Sequence, residues 1–173
     1  MARGVNLAGD DQADRRVHGG ADKAVYAYAR EDTEWWEAEL GRELEHGTFG
    51  ENLTLRGVDA SGAVIGERWR IGAALFEVSE PRLPCFKLGV KMEDNRFLKR
   101  FSVALRPGCY LRILEEGELS AGDAVEAVER PSHGVTVRDL ARTFLFEKDK
   151  ASALLAAGAL SPQWREFAEG RAA

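Results

Sequence analysis

The 173-residue sequence predicts an α+β fold, in which a curved, mostly antiparallel β-sheet or barrel precedes a small module of three helices. Up to about residue 130, short apolar strand patterns alternate with glycine turns, which is typical of antiparallel sheets that curl or close. Beyond that point the apolar spacing becomes helical, with cap signals before each segment. We therefore predict a sheet domain over residues 1–130 and a helical module over residues 131–173.

Two helices are expected inside the sheet domain. The first follows a strand over residues 24–28, with Asp32 or Thr33 as its N-cap and Gly41 as its end. The second covers residues 97–101, where apolar side chains recur at helical spacing and should face inward. These helices should interrupt the run of strands without ending the sheet.

The C-terminal module contains three helix signals. Thr136 precedes a helix over residues 137–146, a second helix covers about residues 150–157, and Ser161-Pro162 begins a third with proline in its first turn. Helices this short are unstable in isolation. We therefore expect them to pack on each other or on the sheet.

Composition excludes several classes of protein. The net charge of -5 argues against a protein that coats a nucleic acid polymer. No apolar run reaches the roughly 18 residues of a membrane span, and the first residues do not read as a secretion signal. Cys85 and Cys109 are too few for a disulfide scaffold, so we expect free thiols in the cytoplasm.

Charge is unevenly distributed along the chain. Residues 82–106 contain seven basic and two acidic residues, a net charge of +5, which leaves -10 for the remainder. Such a cationic block indicates either a small anionic ligand, such as a phosphate, or a solvated helix face. Charge alone does not separate these two interpretations.

Residues 80–89 place a cysteine at a rigid bend. The preceding residues 74–79 alternate in polarity, which predicts a half-buried strand that ends near Pro81. Pro81 and Pro84 fix their own backbone angles and push their predecessors toward extended geometry. Cys85 should therefore be held in a fixed direction.

The charges beside this cysteine bear on its chemistry. Arg82 and Lys87 flank Cys85 and favour the thiolate, which makes it a candidate nucleophile or ligand for a soft metal. The alternative is a small buried hydrophobic residue, because free cysteine is among the most buried residue types.

Two further segments carry candidate binding residues. Residues 7–20 form a polar loop in which His18, Gly19 and Gly20 can offer an imidazole and open backbone N–H groups to an anion, close to Lys23. An ordinary surface turn is the alternative. Residues 51 and 52, glutamate and asparagine, lie at a strand start and either orient a ligand or tie down their loop.

These motifs together resemble the MOSC family, named for the C-terminal domain of molybdenum cofactor sulfurase, and in particular its small stand-alone bacterial members. The resemblance covers nearly the whole chain, and its motifs follow the family's order: residues 9–14, 18–20 and 23–26, then 49–54, then 81–88. Members also carry strands ahead of the first motif. This sequence starts almost at that motif, so either its reading frame starts late or the barrel lacks these strands.

The resemblance implies a domain that binds the molybdenum cofactor in its molybdopterin form, with Cys85 as the protein ligand to the metal. It also implies reduction of small N-hydroxylated compounds, including hydroxylaminopurine bases, to amines by a molybdenum-dependent oxidoreductase. The implied cofactor-binding residues are His18, Gly19, Gly20, Lys23, Glu51, Asn52, Arg82 and Lys87. A sulfur carrier that uses a Cys85 persulfide and a non-catalytic cofactor carrier remain as alternatives.

An oxidoreductase of this kind needs electrons from elsewhere. The sequence contains no Cys-x-x-Cys pair, no cysteine cluster and no Gly-x-Gly-x-x-Gly loop. We therefore expect a separate reductase or electron carrier as a partner. The acidic surface outside residues 82–106 is the docking face that the sequence favours.

Overall fold

The computed structural model describes residues 1–7 and 20–170. These residues form an α+β fold on a curled, mixed six-stranded sheet, as predicted. The strands are β1 (Ala2–Arg3), β2 (Asn6–Leu7), β3 (Val25–Ala29), β4 (Leu53–Leu55), β5 (Arg68–Ile71), β6 (Ala74–Pro81), β7 (Cys109–Glu115) and β8 (Val125–Glu129).

The six-stranded sheet has the order β4-β3-β7-β6-β5-β8. All neighbouring pairs are antiparallel except β3 and β4, which are parallel. Register shifts interrupt the β5–β8 and β6–β7 pairings, and such bulges increase the twist of a sheet. The first two strands form a separate hairpin that joins the rest through paired backbone bonds between Ala2 and Gly117.

Five α-helices and two 3₁₀ segments accompany these strands in the described part of the chain. The α-helices are α1 (Arg30–Leu40), α2 (Phe86–Met92), α3 (Phe97–Ala104), α4 (Val137–Phe146) and α5 (Pro162–Ala168). The 3₁₀ segments are η1 (Ala21–Lys23) and η2 (Lys148–Ala156). No helix among these residues has the length and apolar character needed to span a bilayer.

Two helix predictions need correction. The first helix begins at Arg30, ahead of the predicted caps, because Asp32 is buried within it and pairs with Arg106 and Ser61. The segment predicted as a second C-terminal helix is the 3₁₀ segment η2. By contrast, Gly41 ends α1 in the left-handed conformation, and Thr136 forms a capping box at the start of α4, both as predicted.

The core has two parts. The larger part lies between the sheet and the C-terminal helices, where Phe76 and Val78 of β6 share one cluster with Leu140, Leu154 and Trp164. The helices pack on the sheet and also on each other, where the Phe144 ring of α4 contacts Trp164 of α5, so both arrangements expected from their length are present. The smaller part is an aromatic cluster that joins α1 and α3 to β3.

Candidate functional site

Cys85 lies where the longest strand turns into a helix. Strand β6 ends at Pro81, residues 82–85 are irregular, and Cys85 is the N-cap residue of α2 with extended backbone angles. Its carbonyl oxygen accepts a hydrogen bond from the Leu88 N–H at 3.0 Å. Its side chain is partly exposed, whereas Cys109 is fully buried. The bend predicted from the two prolines is present, with a reachable cysteine at its end.

The Arg82 side chain folds back beneath this bend. Its guanidinium carbon lies 5.2 Å from the centre of the Tyr26 ring, an arrangement typical of a cation–π contact. Gly50 approaches it closely, since a Cβ at that glycine would lie 3.4 Å from Nη1. Gly50 also has a positive φ of 77°, so a larger residue there would be strained as well as crowded.

One nitrogen of this guanidinium has no partner. Arg82 Nη1 is buried and makes no hydrogen bond within residues 1–7 and 20–170. Buried donors are nearly always satisfied in folded proteins, and an exception calls for an explanation. An anion bound at the bend would provide the acceptor that this nitrogen needs.

The groups around Arg82 keep it charged. Burial acts to lower the pKa of Arg82, but Tyr26, Tyr110 and Cys85 together hold that pKa above its ordinary value. Burial likewise raises the pKa of Tyr110, partly offset by Arg82. The thiol of Cys85 therefore lies beside a permanent cation and a neutral phenol.

A row of polar side chains crosses the sheet at the same level. Tyr26 of β3 pairs with Tyr110 of β7, which pairs in turn with Glu80 of β6. Directly paired residues project from the same face of a sheet. Burial raises the pKa of Glu80, and Lys23 Nζ lies 3.4 Å from its carboxylate and opposes that shift. The Lys23 charge is thus partly offset by a buried acid.

Glu51 and Asn52 hold their loop to strand β3. The Glu51 carboxylate accepts backbone hydrogen bonds from Gly47 at 2.9 Å and from Phe49 at 3.0 Å. Asn52 Oδ1 accepts one from the Tyr26 N–H at 2.7 Å, and its own N–H donates to the Tyr26 carbonyl at 2.9 Å. These bonds match the loop-tying alternative and set Gly50 against Arg82.

The remaining predicted site residues are dispersed. Lys87 is exposed in the first turn of α2. Gly20 precedes η1 with a φ of 102°, and its carbonyl oxygen accepts a hydrogen bond from the Lys23 N–H at 3.1 Å. His18 and Gly19 lie outside the described residues.

Sequence reasoning missed three components of this site. Tyr26 and Tyr110 look like ordinary strand aromatics in the sequence, and they meet only through the pairing of β3 with β7. Gly50 looked like a flexible loop residue, although its contact with Arg82 makes it part of the site. The sequence did carry a signal for two of them, because Tyr26 and Gly50 lie within the motifs at residues 23–26 and 49–54.

A partly exposed cysteine just beyond a sheet strand, next to a half-buried arginine and on a curled six-stranded sheet, describes a β-rich α+β domain protein. The family model described as "MOSC domain" matches residues 14–126, which is more than half of the chain. The chain belongs to the MOSC family, and the family prediction is confirmed.

Relatives place it among small bacterial members of that family. It is 37% identical to YflK of Bacillus subtilis over 163 residues, covering 92% of this chain and 74% of that protein. It is 33% identical to YiiM of Escherichia coli over 177 residues, covering 99% and 79%. A Gibberella moniliformis protein named "Reductase" is 37% identical over 131 residues, covering 73% of this chain but 23% of that protein.

Solved structures agree with this placement. The crystal structure of YiiM from Geobacillus stearothermophilus gives a TM-score of 0.82 at 35% identity, covering 89% of this chain and 80% of that one. The structure of YiiM from Escherichia coli gives 0.80 at 30% identity, covering 96% and 82%.

Proposed function

We propose that this protein binds the molybdenum cofactor through Cys85 and reduces N-hydroxylated compounds, such as hydroxylaminopurine bases, to amines. One observation carries the proposal: the partly exposed Cys85 lies beside the half-buried Arg82, whose buried Nη1 has no partner within the described residues. Membership of the MOSC family and the partial match to a protein named "Reductase" support it.

The residues present fit the cofactor chemically. Cysteine sulfur is the ligand type that soft metal centres prefer, and Cys85 offers one at a reachable position. The cofactor is an anion. Arg82 offers it a positive charge and a buried donor, Nη1, that has no hydrogen-bond partner within the described residues. Lys87 adds an exposed cation two residues beyond the cysteine. Lys23 contributes less charge, because Glu80 opposes it.

Each residue has a limited task in this proposal. When bound, the cofactor supplies the two-electron chemistry that takes the oxygen from nitrogen. Cys85 would hold the metal and Arg82 would bind an anionic oxygen, while Glu51 and Asn52 fix the loop whose Gly50 lies against that arginine. The net reaction converts R–NHOH, two electrons and two protons to R–NH₂ and water. The electrons come from a separate donor.

Metal analysis and a reduction assay test this proposal. The protein is made in a host that synthesises molybdopterin, then assayed for molybdenum, for released pterin and for reduction of 6-hydroxylaminopurine by dithionite-reduced methyl viologen. We expect equimolar molybdenum and production of adenine. Bound cofactor without any reduction would favour the cofactor-carrier alternative. Protein without molybdenum that carries sulfane sulfur on Cys85 would favour the sulfur-carrier alternative.

A further inference from the structure

The helix that follows Cys85 has one exposed side that combines apolar and basic residues. Phe86 and Val90 are each 71% exposed and lie one helical turn apart. Lys87 and Lys91, also one turn apart, are exposed beside them. The other three residues of α2 are buried. The exposed side is therefore half hydrophobic and half cationic.

The next helix repeats this combination. In α3, Lys99 and the 62% exposed Val103 lie one turn apart, while the two phenylalanines of the helix are buried. The two helices pack closely at Gly89, where a Cβ would lie 2.6 Å from Leu98 Cδ1. We use the name α2–α3 face for the exposed residues Phe86, Lys87, Val90, Lys91, Lys99 and Val103.

Both the apolar and the charged character of this face are unusual for the chain. Of the eight large hydrophobic residues exposed among the described residues, three lie on it. Residues 86–104 contain five basic and two acidic residues, a net charge of +3 in a chain of net charge -5. Clustered exposed apolar residues with a charged rim mark interaction sites, and the rim selects a partner of opposite charge.

We infer that the α2–α3 face docks a small acidic flavoprotein, which delivers electrons to the site at Cys85. This inference rests on the proposed function. Each reduction of R–NHOH to R–NH₂ and water consumes two electrons and two protons, and a flavin hydroquinone that is oxidised to the quinone supplies both electrons. Because Cys85 immediately precedes α2, a carrier bound on this face lies next to the site. The donor thus docks on the basic face, not on the acidic surface that the sequence favoured.

A double variant, Val90→Asp with Lys99→Glu, tests this docking. Both positions are exposed, and neither belongs to the proposed cofactor-binding set. Lys91 is left intact because its Nζ donates to the Gly47 carbonyl at 2.5 Å, and Lys87 because we assign it to the cofactor. The cofactor-loaded protein is assayed with reduced methyl viologen and, separately, with NADPH, flavodoxin reductase and flavodoxin. The KM for flavodoxin should rise at least about tenfold, with the methyl viologen rate unchanged.

A matched control carries the same chemical changes elsewhere, as Val128→Asp with Lys150→Glu, at positions 51% exposed in β8 and exposed in η2. It should behave as wild type. Calorimetric titration of cofactor-free protein with oxidised flavodoxin gives a second measurement that does not depend on turnover. The dissociation constant should rise only in the α2–α3 variant.

The outcomes separate the two proposals. If wild type is inactive with methyl viologen, the proposed function fails, while calorimetry still decides the docking. If methyl viologen supports reduction but flavodoxin neither binds nor donates electrons, the docking inference is overturned and the proposed function stands. An equal loss in both double variants would also overturn it, because the effect would then follow net charge and not this face.

Discussion

Two partly buried arginines, Arg112 within strand β7 and Arg82 just after strand β6, differ in how their nitrogens are used. At the seam between the sheet and the C-terminal helices, Arg112 donates from Nε to Asp22 at 2.6 Å, from Nη1 to Glu77 at 2.7 Å and from Nη2 to the Ala159 carbonyl at 3.0 Å. At the bend before α2, Arg82 contacts aromatic rings and a thiol and leaves Nη1 without a partner in the described chain. All three guanidinium nitrogens of Arg112 donate hydrogen bonds, whereas Arg82 keeps a donor that could bind a further acceptor.

This difference separates a structural role from a binding role. A guanidinium that satisfies two carboxylates and a backbone carbonyl stabilises the fold, and removing it strands the groups that it served. A buried donor with no acceptor costs the fold free energy and calls for an explanation, which the proposed anionic ligand would supply. The two cysteines differ in the same sense, since Cys109 is sealed in the core and Cys85 is reachable.

The largest effect is expected from Cys85→Ser. We expect complete loss of molybdenum retention and of N-hydroxyl reduction, because a serine hydroxyl is a hard, protonated ligand for a soft metal centre. Cys109→Ser should keep its molybdenum. Elemental analysis of both purified variants checks this. Equal loss of molybdenum from both variants would contradict the assignment of Cys85 as the ligand.

At the seam, substitution of Arg112 should lower the stability of the fold without weakening cofactor binding. Arg112→Met removes a partner of two carboxylates, Asp22 and the 13% exposed Glu77, which keeps only the longer contact with Arg68, and should lower the free energy of unfolding by about 3 kcal/mol. Arg142→Met is the matched control, because that arginine is 40% exposed and within the described residues pairs only with Asp139 one turn away, so about 0.5 kcal/mol is expected. Urea unfolding of both variants checks this. Similar losses would remove the distinction between an engaged and a peripheral arginine.

At the bend, substitution of Arg82 should weaken cofactor binding without a large loss of stability. Arg82→Met removes the unsatisfied donor and its charge, so cofactor affinity should fall by a factor of about 10 to 100, equivalent to roughly 2 kcal/mol for a charged hydrogen bond. Its free energy of unfolding should stay within about 1 kcal/mol of wild type, because an apolar side chain of similar length replaces it. Retention of pterin during dialysis measures the first effect. Arg82→Lys, which keeps the charge, should recover part of the affinity, and unchanged retention in Arg82→Met would place the anion elsewhere.

Features that depend on residues close together in the sequence could be predicted, whereas contacts between distant parts of the chain could not. The bend at Cys85 and its flanking Arg82 were predictable, because prolines and neighbouring charges act within a few residues. The contact of Arg82 with Tyr26 was not, since it requires strands from distant parts of the chain to pair. The predicted start of α1 was wrong for the same reason, because Asp32 pairs with the distant Arg106 and does not cap the helix.

At the Arg112 seam, too, the local elements could be predicted from the sequence but the long-range contacts could not. The cap residues Thr136 and Ser161 predicted the starts of two C-terminal helices. Because these helices are short, they had to be stabilised by packing against other parts of the protein. Nothing local linked Arg112 to Asp22, 90 positions away, or to the Ala159 carbonyl. Sequence patterns therefore identified most of the elements and the bend that carries Cys85, whereas the contacts that separate Arg112 from Arg82 came from the tertiary fold.

The smallest predicted effect concerns the pH dependence of stability, which isolates the buried cysteine. Burial raises the pKa of Cys109 above its ordinary value of 9.0. In the unfolded chain this thiol loses its proton near that ordinary value, while the folded protein keeps it. The unfolded state therefore binds fewer protons at alkaline pH, and the stability present below that value is lost as pH rises. A single such group lowers the free energy of unfolding by about 1.4 kcal/mol between about pH 8 and pH 10.

Cys109→Ala tests this, because alanine cannot titrate and fits a buried position. Burial also raises the pKa of Tyr26, Tyr28 and Tyr110, so wild type and variant should both lose stability at the alkaline end. The tyrosine contribution is common to both proteins and cancels in their difference. Urea unfolding at several pH values should therefore show the stability of wild type falling toward that of Cys109→Ala by about 1.4 kcal/mol across this range. Parallel curves would show that the Cys109 thiol ionises as readily in the folded protein as in the unfolded chain, and the contrast with the reachable Cys85 would then lose its physical basis.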